Sequence, residues 1–250
     1  MVERASRSSG GPGRVLRAFA HRGGAKEGEE NTAQAFARAV DLGYKRLETD
    51  AHLSRDGQVV LHHDPNLRRT YGVDANIADL DWADLADFRM PQGGRLLRFA
   101  EALERFDNVE FNVDAKVEPV ALPALAVARG QLERVRFVSF SSATVKRLRR
   151  AGAIKTALTM PEIARLRLGL GVNVGRIADA VQIPPSYGPV KLATPTFIAR
   201  AHEAGLFVDV WTVDDSETIL KMIDAGVDGL MTDSPSLLKK LLVQRDLWEG

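Results

Sequence analysis

One local pattern recurs along the chain and restricts its fold more than any other feature. A segment with apolar residues at helical spacing ends in glycine, and a short apolar strand follows at once. It occurs as Leu42-Gly43 before Tyr44–Asp50, Ala151-Gly152 before Ala153–Thr159, Ala204-Gly205 before Leu206–Val213, and Ala225-Gly226 before Val227–Thr232. Glycine just past a helix takes the left-handed conformation that closes the last turn without a Cβ clash. The helices ahead of these glycines carry apolar stripes, such as Ala33, Phe36, Ala37 and Val40, or Ile219, Met222 and Ile223. Four more strand-like runs, Val15–Ala20, Val109–Asp114, Arg136–Phe140 and Ala178–Ile183, fill the intervals. Strands alternating with helices imply parallel strands joined by crossover helices. Eight such units predict a closed (β/α)8 TIM barrel. An open doubly wound sheet would usually carry G-x-G-x-x-G after its first strand, and that motif is not there.

The 250 residues suit one such barrel, and residues 15–250 are expected to form a single domain. Residues 1–14 are rich in Ser, Gly and Arg without an apolar run, so they read as a flexible N-terminal tail and not a secretory signal. No later stretch is apolar enough to span a bilayer, so the expectation is a cytoplasmic enzyme without a transmembrane segment. Residues 64–98 break the helix–strand rhythm. They read as an insertion after the second barrel strand, laid over one face, with a short helix around Trp82–Phe88 and a share in the substrate pocket.

Lys plus Arg total 34 against 33 Asp plus Glu, so the basic excess that a nucleic-acid partner needs is missing. The absence of cysteine excludes disulfides, zinc–thiolate sites and a cysteine nucleophile. What remains distinctive is a set of charged groups at strand ends, where barrel enzymes place their chemistry. The first strand runs into His21-Arg22-Gly23, the second ends Glu48-Thr49-Asp50, and the third ends Asn112-Val113-Asp114-Ala115-Lys116. Alternate residues share a strand face, so Glu48 points with Asp50, and Asn112 with Asp114 and Lys116. Three carboxylates converging on a barrel mouth repel one another unless a cation lies among them. All-oxygen ligation suits one hard divalent ion, Mg2+ or Ca2+. The competing interpretation pairs each acid separately, with Arg46 and Lys116 as partners. His62 and His63 follow the apolar run Gln58–Leu61, and strand alternation lets only one of them reach the site. His52 and His202 read as structural, and Arg22 as a fork for phosphate or a salt bridge to Glu48 or Asp50.

His21-Arg22-Gly23, then Glu30-Asn31-Thr32 opening a helix, Glu48-x-Asp50, Asp56-Gly57 and His63-Asp64 resemble the glycerophosphodiester phosphodiesterase family in order and spacing. Asn112-x-Asp114-x-Lys116, Ser139-Phe140, Trp211-Thr212-Val213 and Asp228-Gly229-x-x-Thr232-Asp233-x-Pro235 extend the likeness from about Ala18 to Leu237. The resemblance implies hydrolysis of a small-molecule glycerophosphodiester to sn-glycerol 3-phosphate and an alcohol. It implies His21 and His63 as the acid–base pair and Glu48, Asp50 and Asp114 as metal ligands. Arg22 and Lys116 would contact phosphate, Trp211 would line the pocket, and Glu30 and Asn31 would support these groups from behind. Two positions depart from the family's habit. Glu29 stands where Pro usually precedes Glu-Asn-Thr, and Asp114 replaces the commoner Glu, one methylene longer. Other interpretations are a lysophospholipase D or sphingomyelinase D on the same barrel, a non-catalytic phosphate-binding barrel, and a metal-dependent barrel lyase.

Overall fold

A computed structural model of the protein describes residues 15–170, 172 and 178–249. The tail expected at residues 1–14 lies outside them. Eleven strands and ten α-helices are described: β1 Arg17–His21, α1 Ala33–Asp41, β2 Arg46–Leu53, β3 Val59–Leu61, α2 Arg68–Tyr71, α3 Trp82–Leu85, β4 Leu97–Arg98, α4 Phe99–Arg105, β5 Glu110–Ala115, α5 Ala121–Val127, β6 Val135–Val138, α6 Ser142–Arg150, α7 Met160–Arg167, β7 Ala180–Ile183, β8 Ser186–Tyr187, β9 Val190–Lys191, α8 Pro195–Glu203, β10 Phe207–Val210, α9 Ser216–Ala225, β11 Gly229–Thr232 and α10 Pro235–Gln244. No helix among these residues is long and apolar enough to cross a membrane.

Parallel pairing runs all the way round. It passes from β1 through β2, β5 and β6, and from β7 through β10 and β11 back to β1. The gap between β6 and β7 is filled by the segment expected as the fifth strand. It is held by single parallel bridges, Phe137 to Thr156 and Ala157 to Ala180. Thr159 already caps α7, so only a few residues remain for pairing. The result is the expected TIM-barrel α/β fold.

Outward-facing strand residues such as Leu47, Phe111, Val113 and Val208 are fully or nearly fully buried in the layer between strands and helices. The inward positions are largely polar. At the N-terminal end Arg136 pairs with Asp179 at 2.6 Å and, with Arg17, with the fully buried Asp209 at 3.3 Å. Arg46 sits at this end too, bound to Glu249, so it is not a partner of the acids at the mouth. The excursion after β2 adds β3 and β4 antiparallel to the sheet, and its α3 is a single turn. Its own apolar cluster includes Val60, Leu67, Tyr71, Ile77 and Leu85.

Candidate active site

β1 delivers His21 to the barrel mouth, and the chain then turns through three left-handed residues, Arg22 (φ 52°), Gly23 (79°) and Gly24 (97°). A Cβ on Gly23 would lie 2.7 Å from the Ala35 Cβ, so the turn can pack on α1 only with glycine there. The turn directs the Arg22 amide at Glu48, donating to its carbonyl at 2.9 Å and its Oε2 at 3.2 Å. His21 donates from Nδ1 to Asp233 Oδ1 at 2.7 Å, while its Nε2 lies 3.6 Å from Glu48 Oε2. Burial pushes the imidazole down, but Glu48 and Asp233 outweigh it and raise its pKa above the ordinary value.

Glu48 and Asp50 share the inner face of β2 and are both buried. Their electrostatics diverge. Burial, helped by Asp50, pushes Glu48 up to about 7 against the pull of His21, Lys116 and Arg22. Burial opposes the charge of Asp50 also, yet Lys116 and Arg22 bring it down to about 2. Lys116 Nζ lies 2.8 Å from Asp50 Oδ1 and 2.7 Å from Asp114 Oδ2, and Arg22 Nε lies 3.1 Å from Asp50 Oδ2. Asn31, held at φ 56°, donates to Asp50 Oδ2 at 3.0 Å and accepts from Thr49 at 2.7 Å. Burial raises the pKa of Asp114, whose Oδ1 is buried without a hydrogen-bond partner among the described residues.

The adjacent histidines separate as strand alternation requires. His62 is fully buried, donating from Nδ1 to the Asp64 carbonyl and accepting from Thr70 at Nε2, both at 2.7 Å. His63 lines the cavity, with Nδ1 donating to Asp64 Oδ1 at 2.7 Å. His52 contacts the His63 carbonyl at 3.1 Å, and His202, on α8, binds Asp228 at 2.8 Å; neither His52 nor His202 lines the cavity. Glu30 stands behind Arg22, 3.3 Å from its Nη1, and also takes two bonds from Arg69.

A cavity of about 630 Å³ gathers His21, Arg22, Glu48, Asp50, His63, Asp114, Lys116 and Trp211. These charged groups share the cavity with an apolar lining that includes Phe140, Leu158, Met160, Ile163 and Leu192. Residues 64–98 contribute nothing to the lining, contrary to the expectation from sequence. They pack on their own apolar cluster beside β2, and the loops after the later strands shape the pocket instead. Sequence reasoning also gave no role to Asp233, whose motif was visible, or to Arg69, which carries no local signal.

The sequence model of the glycerophosphoryl diester phosphodiesterase family matches residues 21–122 and 124–237. The chain belongs to that family. It is 30% identical over 231 residues, 88% of each chain, to a probable glycerophosphodiester phosphodiesterase 2 of Mycobacterium tuberculosis. It is 26% identical over 271 residues, 91% of this chain and 86% of the relative, to a lysophospholipase D of Rattus norvegicus. Among solved structures, an Oleispira antarctica phosphodiesterase in complex with the product sn-glycerol-3-phosphate superposes with a TM-score of 0.76 at 21% identity, covering 92% of this chain and 97% of that one. Enzymes of the family generally use a divalent metal ion. Among the described residues no three acidic or imidazole side chains stand ready-made as a ligand set, and the Lys116 ammonium bridges Asp50 and Asp114. The donors nonetheless fit a hard cation. All are carboxylate oxygens, Asp114 Oδ1 is an orphan, and Glu48 is desolvated.

Proposed function

We propose that this glycerophosphodiester phosphodiesterase works by acid–base catalysis between His21 and His63, with Glu48, Asp50 and Asp114 holding one divalent ion, Mg2+ or Ca2+. The observation that carries this reading is the matched state of the two imidazoles. Each has Nδ1 tied to a carboxylate at 2.7 Å, His21 to Asp233 and His63 to Asp64, which leaves Nε2 of each for proton transfer within one cavity. The substrate is a small-molecule glycerophosphodiester, cleaved to sn-glycerol 3-phosphate and an alcohol. Arg22 and Lys116 face the phosphate and offset its charge, and a divalent ion held by Glu48, Asp50 and Asp114 would add to that neutralisation. Glu30 and Asn31 hold Arg22 and Asp50 in place.

The attacking group in this reading is the substrate's own vicinal hydroxyl. Ser139, a hydroxyl on the cavity wall, is already donated to the Ala115 carbonyl at 2.8 Å, and the chain has no cysteine. One histidine takes the hydroxyl proton as the new P–O bond forms, and the other protonates the leaving alkoxide oxygen, giving a cyclic phosphate and an alcohol. Water then opens the ring with the roles reversed. Intramolecular attack avoids the entropy cost of placing a separate water. The test is turnover of glycerophosphodiesters by purified protein with Mg2+, with Ca2+, and in excess chelator, alongside a deoxy analogue lacking the vicinal hydroxyl. Turnover of that analogue at the parent rate, with solvent oxygen entering in the first step, would replace this route by direct attack of water.

A second substrate, a lysophospholipid, is favoured by the apolar lining of the cavity. Phe140, Met160, Ile163 and Leu192 offer a hydrocarbon chain an apolar surface in the same cavity as the phosphate-facing groups. The lysophospholipase D activity in the name of a relative fits that surface.

A further inference from the structure

Residues 64–98 stay out of the cavity, yet one of their side chains reaches two groups that the proposed reaction needs. Arg69, on the single-turn helix α2, places Nε 2.5 Å from Asp64 Oδ2. Its Nη1 lies 2.9 Å from Glu30 Oε2 and its Nη2 2.6 Å from Glu30 Oε1. Asp64 uses its other oxygen to hold His63 Nδ1 at 2.7 Å. Glu30 shares Oε1 with Arg22 Nη1 at 3.3 Å. One planar guanidinium is thus the hinge between two relays, His63–Asp64 on one side and Glu30–Arg22 on the other.

We propose that Arg69 is a positioning residue, its fork setting His63 through Asp64 and Arg22 through Glu30, and that this clamp is the contribution of residues 64–98 to catalysis. The proposal rests on the reading of His63 as a proton carrier and Arg22 as a phosphate ligand. The chemistry of the two carboxylates supports it. Burial disfavours the charge of Glu30, and Arg69 with Arg22 keeps it ionised, below its ordinary pKa. Burial acts the same way on Asp64, which Arg69 and His63 hold low. Both acids depend on Arg69, and each has a functional partner that moves when the acid moves. A guanidinium can meet both with parallel N–H bonds, whereas an ammonium is a point charge and reaches one. Without Arg69, Asp64 loses the bond that fixes its carboxylate plane behind His63. Glu30 then has Arg22 as its remaining cation among these contacts and draws it away from the phosphate.

The test is steady-state kinetics of purified variants on glycerophosphocholine with the supporting divalent ion, with melting temperature read in parallel. Arg69→Met is expected to lower kcat by on the order of 10- to 100-fold, the scale of a small misplacement of a catalytic group, and to raise KM several-fold. Asp64→Asn should reproduce the loss of kcat, and adding Arg69→Met to it should cost little more, because both cut the same relay. Glu30→Gln combined with Arg69→Met should return KM toward the wild-type value and leave kcat low. Arg69→Lys should restore one parameter and not both, and it keeps the test available if the methionine variant folds poorly. Wild-type kcat and KM in Arg69→Met, with or without a lower melting temperature, would overturn the proposal. So would recovery of both parameters by lysine, or full additivity with Asp64→Asn. If His63→Ala and Arg22→Met were themselves fully active, the underlying reading would fail instead. The clamp alone fails if those two are inactive while Arg69→Met is normal.

Discussion

His21 Nδ1 stands 2.7 Å from Asp233 Oδ1, a hydrogen bond joining the end of β1 to the residue just past β11. It exists because β1 and β11 are neighbours in the closed barrel, with Ala20 opposite Thr232. Asp233 is fixed in turn, its amide donating to Asp214 Oδ1 at 2.7 Å. Asp233→Asn keeps the shape but removes the charge that selects the Nδ1–H tautomer and stabilises the imidazolium. It should lower kcat by on the order of 100-fold with KM little changed. A kcat within twofold of wild type would exclude this role.

The two adjacent histidines should separate cleanly by assay. His63→Ala is expected to lose on the order of 100- to 10,000-fold in kcat, as for a missing acid or base, with its melting temperature near wild type. His62→Ala breaks two bonds of a fully buried ring. It should cost about 1–3 kcal/mol of stability, roughly 5 °C in Tm, and retain most activity. The reverse pattern would mean that the register of β3 and the residues after it is wrong.

Divalent ions should stabilise the protein as well as activate it. An ion that binds only the folded state adds about 2.7 kcal/mol at 100 times its Kd. Tm should therefore rise with Mg2+ or Ca2+ and fall back with chelator. Asp114→Asn should raise the concentration needed for half of that shift, since a neutral oxygen replaces an anionic one. Lys116→Met, which frees Asp50 and Asp114 from their ammonium, should enlarge the shift while reducing activity. An unchanged Tm in all three proteins would exclude the carboxylate site.

The apolar wall makes a prediction about substrate choice. Phe140 and Met160 are both more than half exposed, so polar replacements there should leave the fold intact. Phe140→Ser and Met160→Ser should each weaken KM for a lysophospholipid by roughly fivefold, from about 1 kcal/mol of lost apolar contact. KM for glycerophosphocholine should stay put. Equal effects on both substrates would remove the chain-binding role.

Acid-side stability should depend on Glu162, which caps α7 at Thr159 and binds Arg149 at 2.7 Å. Burial pushes its pKa up, but Arg149 and Thr159 bring it below the ordinary 4.5. Because the folded pKa lies below the unfolded one, this contribution is complete above the unfolded pKa and is lost as pH falls through the folded value. Tm followed from about pH 6 to about pH 3 should fall less steeply in Glu162→Gln. Parallel curves for the two proteins would rule this out.

Much of the barrel could be read from sequence because its signals are local. Helix-then-glycine units mark the crossovers, and a period of two puts Glu48 with Asp50 and Asn112 with Asp114 and Lys116 whatever the neighbours are. The same period separated His62 from His63. The fifth strand was misjudged in extent. The apolar run Ala153–Thr159 occupies the expected place, but single bridges hold it, since ladder length depends on the register of β6 and β7 on either side.

By itself, the amino-acid sequence determined which residues stand at strand ends and which face each strand presents, since both follow from backbone geometry over a few residues. Only the tertiary structure decided who bonds to whom. Asp233 meets His21 across 212 residues, and Arg69 meets Glu30 across 39. The position of the apolar wall was settled at the same level, on loops after the later strands and away from residues 64–98. Such choices depend on how the ring closes and how the excursion packs on its own cluster. Those are sums of many non-local contacts that no short segment encodes.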